Sequence, residues 1–424
     1  MVGSSHHQLA VPSSPSTPSK RERSHDSIRS TAAVASLSMN SSPSLSARGD
    51  DSASEEAPLP WFLRQKKTET HSKFVELEWQ QRNRLVQSTT PSQNNTTSPS
   101  QWARVTGEAV SQRNRYLNVD PFANNRVQLK VPEGHDDYIN ASPIVLKTKK
   151  SGAIKNFIAT QGPKDNTHHH IWRMIWHECA SPAVVLMLTQ THESGREKCF
   201  QYFPHSMEAP YLTINEHDEF EDALVLDITL KTLNEDEKTR STIRELELRD
   251  RQTGETKTVW HILFSAWPDF SVPEGADKLA LLELIPLSQQ KNPAPENPRI
   301  VHCSAGVGRS GTFIALDYLL AELDEGSLDA VPDGRDPIEE VVEKLRTQRM
   351  MMVQGETQFM LLYETLREKW VERWRQRMGL PSAPYKHPEE VLGGEEKKRQ
   401  AKVAKLARDL EAEMRQNASL GEKL

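Results

Sequence analysis

The chain has 424 residues, a formal net charge of −6 and only 36% hydrophobic residues. That length admits one large domain or two ordinary ones, and the low apolar fraction leaves part of the chain unable to bury enough surface to offset the entropy of ordering. Its three cysteines, Cys179, Cys199 and Cys303, exclude a disulfide framework, and no Cys-x-x-Cys metal pattern occurs.

Residues 1–58 are rich in Ser, Pro and charge, and a disordered N-terminal extension is expected there. Ser14-Pro15, Thr17-Pro18 and Ser42-Pro43 are minimal proline-directed kinase sites, which makes such kinases expected partners of this segment. The first residues lack the apolar core of a signal peptide, and the run Ala183-Val184-Val185-Leu186-Met187-Leu188 is too short to span a bilayer. A soluble, monomeric, cytoplasmic protein follows as the expectation, with the nucleus open and no nucleic-acid partner. Order is expected from about Pro60, with helix signals around Phe74 to Trp79 and a polar surface loop from Gln87 to Gln101.

From Asn114 to about Trp374 strand and helix patterns alternate. The run at 183–189 predicts a central strand covered on both faces. Leu224, Leu226, Ile228 and Leu230 alternate as a half-buried strand, Leu246 and Leu248 repeat this, and a polar turn at Gln252-Thr253-Gly254-Glu255 leads into Lys257 to Phe264. Helical periodicity marks 169–178, 278–287, 312–323, 337–346 and 356–373. This is an α/β pattern: a central, highly twisted mixed sheet flanked by helices on both faces. A charged, partly helical tail is expected over 379–424, with an apolar stripe at Val403, Leu406, Leu410 and Met414.

The chemistry concentrates in Val301-His302-Cys303-Ser304-Ala305-Gly306-Val307-Gly308-Arg309-Ser310-Gly311-Thr312. A strand leads in and a helix leads out of a loop of small and apolar residues. That geometry aims backbone N–H groups and a helix N-terminus at one point, making an anion site. A cysteine at its base is held as thiolate, and Arg309 offers a planar fork for two phosphate oxygens. A thiolate inside a phosphate cradle implies phosphoryl transfer to sulfur, then hydrolysis.

This string resembles the signature of the protein-tyrosine phosphatases, cysteine-dependent enzymes with no cofactor, and further segments over roughly 60 to 375 are similar to the family in the same order. The resemblance implies a single-domain, non-receptor member, with a catalytic domain expected over 59–378. The resemblance implies that Cys303 attacks phosphorus while Arg309 and the amides of Ser304, Ala305, Gly306, Val307 and Gly308 hold its oxygens. Ser310 would stabilise the departing thiolate and His302 would brace the loop. Trp267-Pro268-Asp269 resembles the mobile acid loop, which makes Asp269 the proton donor and Trp267 its support; Ser271 departs from a usual glycine. Arg113 to Asn118 resembles the phosphotyrosine-recognition loop, with Tyr116 as stacking wall and Asn118 where aspartate is common. Glu193 would fix the Arg309 fork, and Lys198 would approach Asp269. Gln354 would orient the hydrolytic water with Gln358 beside it, and Gly355 departs from a usual threonine. Met351, in place of a glycine, would narrow a second cleft and weaken preference for doubly phosphorylated peptides. The implied substrates are phosphotyrosine proteins, and no metal is implied, because the cradle supplies the positive charge. The sequence leaves two rival readings: a catalytically dead phosphotyrosine-binding module, and a dual-specific or phosphoinositide phosphatase.

Overall fold

The apolar run at Ala183 becomes the middle of a sheet. The computed structural model describes residues 57–89, 100–269 and 271–382. The N-terminal extension with Ser14, Thr17 and Ser42, the core of the polar stretch before Gln101, and the stripe Val403–Met414 lie outside them.

The strands are β1 (Ala141–Lys147), β2 (Ile154–Thr160), β3 (Ala183–Met187), β4 (His192–Glu193), β5 (Arg196–Glu197), β6 (Tyr211–Ile214), β7 (Leu226–Asp236), β8 (Ser241–Asp250), β9 (Thr256–Phe264) and β10 (Arg299–His302). All but the small β4–β5 ribbon join an eight-stranded sheet in the order β1-β2-β10-β3-β9-β8-β7-β6. The middle is parallel (β2, β10, β3, β9) and both flanks are antiparallel. The helices are α1 (Lys67–Thr89), α2 (Glu108–Arg113), α3 (His168–Glu178), α4 (Gly275–Lys291), α5 (Gly308–Asp324), α6 (Pro337–Gln348) and α7 (Glu356–Arg377).

Alternation along the central strands explains the two layers. Val184 and Leu186 face a core built with α1, α4, α5, α6 and α7, whereas Ala183, Val185 and Met187 face a second core built with Ile171, Trp172, Met174 and Ile175 of α3. Every residue of β3 and β10 is buried, so the continuous apolar run of β3 needs no polar side, and Arg299 and His302 at the ends of β10 are buried with it.

Several expected boundaries move. The segment around Phe74 is the middle of the long α1, whose apolar side packs on α6 and α7 while Val75, Trp79 and Val86 stay exposed; helix therefore runs on to Thr89, past the expected loop start at Gln87. The strand expected from Leu224 starts at Leu226, because Ala223 turns the chain at φ 60°. The helix expected from Thr312 starts at Gly308, which decides the geometry of the site.

Register places that site. His302 pairs with Thr160 on one side and Met187 on the other, and Met187 pairs with Leu263. Four parallel strands therefore end level with one another. The segments that leave their carboxyl ends, after Thr160, Met187, Phe264 and His302, gather along one edge, where open α/β sheets bind ligands.

Candidate active site

Cys303 follows β10 and is 5% exposed. The loop after it is held by its carbonyls from outside. Gly162 N–H donates to Ser304 O at 2.9 Å and Val353 N–H to Val307 O at 3.1 Å. Arg349 donates through Nε to Gly306 O at 2.9 Å and through Nη2 to Ala305 O at 3.2 Å. Four successive C=O groups drawn outward leave the N–H groups on the inner side; Gly306 N–H lies 3.3 Å from Cys303 Sγ. Gly306 itself has φ +71°, and a Cβ there would stand 2.1 Å from Thr160 O, so the position admits glycine alone. The unsatisfied N–H groups of the first turn of α5 extend the same anion cradle.

Arg349 lies beneath this loop and also reaches Asn140 Oδ1 at 2.8 Å and Ser142 Oγ at 3.2 Å. Burial pushes its guanidinium down to about 10, which leaves it cationic at neutral pH. Sequence reasoning missed this residue. Its signal was an arginine directly before the apolar run Met350-Met351-Met352-Val353, where an unpaired charge is not tolerated.

Arg309 is in the first turn of α5. Glu193, in β4, accepts from its Nη1 at 2.5 Å and from its Nη2 at 2.8 Å. Nη1 also donates to Leu188 O at 3.1 Å and Nη2 to Pro268 O at 3.4 Å. The fork is thus oriented by the segment after β3 and by the acid loop after β9 together.

Asp269 Oδ1 is 3.9 Å from Arg309 Nη2 and 3.6 Å from Lys198 Nζ, and Oδ2 accepts from Ser194 Oγ at 2.7 Å. Burial raises this carboxyl, but the Ser194 hydrogen bond and the Lys198 and Arg309 charges outweigh it and hold it below the usual value. Trp267, 4% exposed, donates from Nε1 to Ser271 O at 3.1 Å and ties the two ends of the acid turn together. Ser194 was not singled out from the sequence. It sits at φ 47° in the turn between β4 and β5, where Gly195 follows it, and that turn lifts its hydroxyl to Asp269.

His302 is wholly buried, and burial pushes its imidazole down to about 4. Neutral, it fits one tautomer. Its Nδ1–H donates to Cys303 O at 3.2 Å, its Nε2 accepts from the Tyr202 hydroxyl at 2.7 Å, and that oxygen accepts from His261 Nε2 at 3.0 Å. The expected bracing role is consistent with this relay of hydrogen bonds.

Tyr116 is 37% exposed and its hydroxyl is 2.8 Å from Ser304 Oγ, which donates onward to Lys198 O at 2.9 Å. Gln161 sets this segment in place: it accepts from Arg115 N–H at 2.8 Å and donates to Arg113 O at 2.8 Å. Asn118 is exposed on the same loop. Gln354 and Gln358 both approach Gly308 at the start of α5: a Cβ on that glycine would meet Gln358 Nε2 at 3.0 Å and Gln354 Cβ at 3.5 Å. Ser310 is buried, and its hydroxyl has no partner in the resting site. Met351 holds φ 60°, and its N–H donates to Gln81 Oε1 of α1 at 3.0 Å.

A cysteine in a cradle of amides, an arginine fork and a carboxyl on a neighbouring loop define a cysteine-dependent phosphatase of the phosphoryl-transfer class. The protein-tyrosine phosphatase family profile matches residues 110–368, and the chain belongs to the protein-tyrosine phosphatase family, whose members hydrolyse phosphotyrosine in proteins. It is 36% identical over 333 residues to tyrosine-protein phosphatase 1 of Saccharomyces cerevisiae, covering 72% of this chain and 96% of that one. It is 36% identical over 252 residues to the human receptor-type tyrosine-protein phosphatase eta, covering 59% of this chain but only 17% of that larger protein. Among solved structures it is similar to PTPN18 in complex with HER2 phosphopeptides, with a TM-score of 0.54, 26% identity, and coverage of 70% of this chain and 98% of that one.

Proposed function

We propose that the chain hydrolyses phosphotyrosine by two in-line displacements on Cys303. The cradle amides of residues 304–308 and the Arg309 fork bind the phosphate oxygens, and the Cys303 thiolate attacks phosphorus. As the S–P bond forms, the P–O bond to the tyrosine breaks, and Asp269 gives its proton to the departing oxygen. A water oriented by Gln354, with Gln358 beside it, then attacks phosphorus. Asp269 takes its proton, the S–P bond breaks, and Ser310 donates to the returning thiolate. The hydroxyl of Ser310, buried without a partner beforehand, is available for that step.

The low position of the Asp269 carboxyl bears on the first step. In the resting site it is a carboxylate; a phosphate dianion bound beside it raises its proton affinity and screens it from Arg309. Substrate therefore supplies part of the condition for its own protonation. Glu193 orients Arg309, Lys198 steers Asp269, and Trp267 supports the acid turn.

The observation that carries the reading is the inward N–H loop around Cys303 together with Arg309. Tyr116 at the rim favours phosphotyrosine over the shorter phosphoserine, since a ring wall rewards an aromatic leaving group. Full retention of Cys303, Arg309 and Asp269 argues against a dead binding module. The uncharged loop 304–308 argues against a phosphoinositide substrate. We place the catalytic domain at 59–378 and the protein in the cytoplasm as a monomer. Three unpaired cysteines suit a reducing compartment, and no described helix is long and apolar enough to cross a membrane.

The test compares wild type with Cys303→Ser on phosphotyrosine peptide, phosphoserine peptide and phosphoinositide. Turnover confined to phosphotyrosine and abolished by the substitution supports the reading. Equal turnover by the variant removes Cys303 as nucleophile.

A further inference from the structure

We propose that His169, His170 and Glu219 form a binding site for a divalent transition-metal cation of the zinc class, outside the residues assigned to phosphoryl transfer. Their ligand atoms all lie within 4.8 Å of one another. His170 Nε2 is 3.0 Å from Glu219 Oε2, and His169 Nε2 contacts the same oxygen. Two tetrahedral ligands at about 2.0–2.1 Å from zinc stand roughly 3.3 Å apart, so this convergence needs only small shifts to admit an ion. A water would complete a set of two imidazoles and one carboxylate.

Two further observations separate this group from a chance pairing on the surface. The carboxylate is braced from behind by Arg113 Nη2, which donates to Glu219 Oε1 at 3.3 Å, and the Glu219 backbone is pinned separately, its N–H donating to Asn215 Oδ1 at 3.0 Å. Such outer contacts are what fix a ligating carboxylate and keep its second oxygen aimed at the ion. In addition, His170 is 1% exposed, its Nδ1 has no partner, and among the described residues Glu219 is the only hydrogen-bonding partner its ring shows. The ring is thus held only through Nε2, the nitrogen that faces Glu219 and would face the ion.

The protonation states agree with this geometry. Burial pushes the His170 imidazole down to about 4, so a ring lone pair is available at neutral pH. Burial raises the Glu219 carboxyl, but the two imidazole bonds prevail and hold it well below its usual range. Neutral imidazole and ionised carboxylate are the forms a metal requires. The N-terminus of α3 modestly opposes a cation, and the Glu219 charge offsets it. His168 is not within reach of the set, and its Nδ1 is engaged by Asp165 O at 2.6 Å.

An ion here would clip the start of α3 to the loop before β7. Through Arg113, which also donates to Tyr138 O at 2.8 Å, it would stiffen the segment that leads to Tyr116. The cluster escaped sequence reasoning because His169 and His170 read only as the start of a helix, and Glu219 is remote in sequence.

The test is a Co2+ titration of the full chain carrying Cys303→Ser, which removes the thiolate as a competing ligand. The expected result is visible ligand-field absorption of tetrahedral nitrogen and oxygen coordination, saturating at a single equivalent and displaced by Zn2+. Thiolate charge-transfer bands should be absent. In the same background His169→Ala and Glu219→Gln each weaken binding by more than about 10-fold, and Zn2+ no longer raises their melting temperature. Absent tetrahedral bands, or unchanged affinity in either variant with its fold intact by circular dichroism, overturns the proposal.

Discussion

Glu193 grips Arg309 with both carboxylate oxygens, at 2.5 and 2.8 Å, and Thr189 Oγ1 adds a 2.9 Å bond to the first of them. The fork is therefore aimed before any phosphate arrives. Glu193→Gln keeps the shape but removes the charge and one acceptor. We expect kcat/KM on a phosphotyrosine peptide to fall on the order of 100-fold, the scale of a misplaced binding group. An unchanged kcat/KM would show that Leu188 O and Pro268 O suffice to aim it.

Ser194→Ala removes the hydrogen bond that helps hold the Asp269 carboxyl low. Asp269 must be protonated to act as acid, so activity declines as pH rises through its pKa. Losing the hydrogen bond raises that pKa and moves the descending limb of the kcat/KM profile to higher pH. A pH–rate profile checks this; a limb that stays put or moves down contradicts it.

Gly306→Ala places a Cβ against Thr160 O in a left-handed backbone position. The combined strain and overpacking should cost about 2–4 kcal/mol of stability. Urea unfolding of the variant measures it, and phosphate should lose its ability to protect the variant from unfolding. Wild-type stability in this variant would mean that the loop can move off β2 freely.

Acid should weaken the fold through His302 and His261. Burial depresses both imidazoles, His302 to about 4 and His261 well below its usual value, so the folded state resists protons that the unfolded chain takes up from 6.5 downward. Stability is thus complete above that value and lost as pH falls toward 4, by up to about 1.4 kcal/mol per pH unit for each ring. Urea midpoints at neutral and mildly acidic pH test the slope. Tyr202→Phe removes the shared hydroxyl and should lower stability across the whole range, because both rings lose their partner.

What the sequence made legible was whatever short range decides. The β10–loop–α5 unit, the 183–189 strand and the antiparallel section through Gly254 could be read from periodicity and turn chemistry, because each is set by neighbours in the chain. The family pattern extended this to Glu193, Lys198, Tyr116 and the two glutamines near Gly308, each of which the structure places beside the Cys303 loop or the acid loop. The start of α5 at Gly308 was not readable, since glycines mask helix periodicity. Nor were the contacts of Arg349 and Ser194, whose partners lie 43 and 75 residues away and depend on how strands pair.

Arg349 has a consequence in time as well as space. The carbonyls of Ala305 and Gly306 are oriented by a side chain made 43 residues later in the sequence than Gly306. While a ribosome is still building the chain between them, the nucleophile exists but the donors to Ala305 O and Gly306 O do not. Of the four loop carbonyls only Ser304 O has its donor, Gly162 N–H, from chain made before Cys303; the other three wait for Arg349 and Val353. The anion cradle is thus completed from the C-terminal side of the nucleophile.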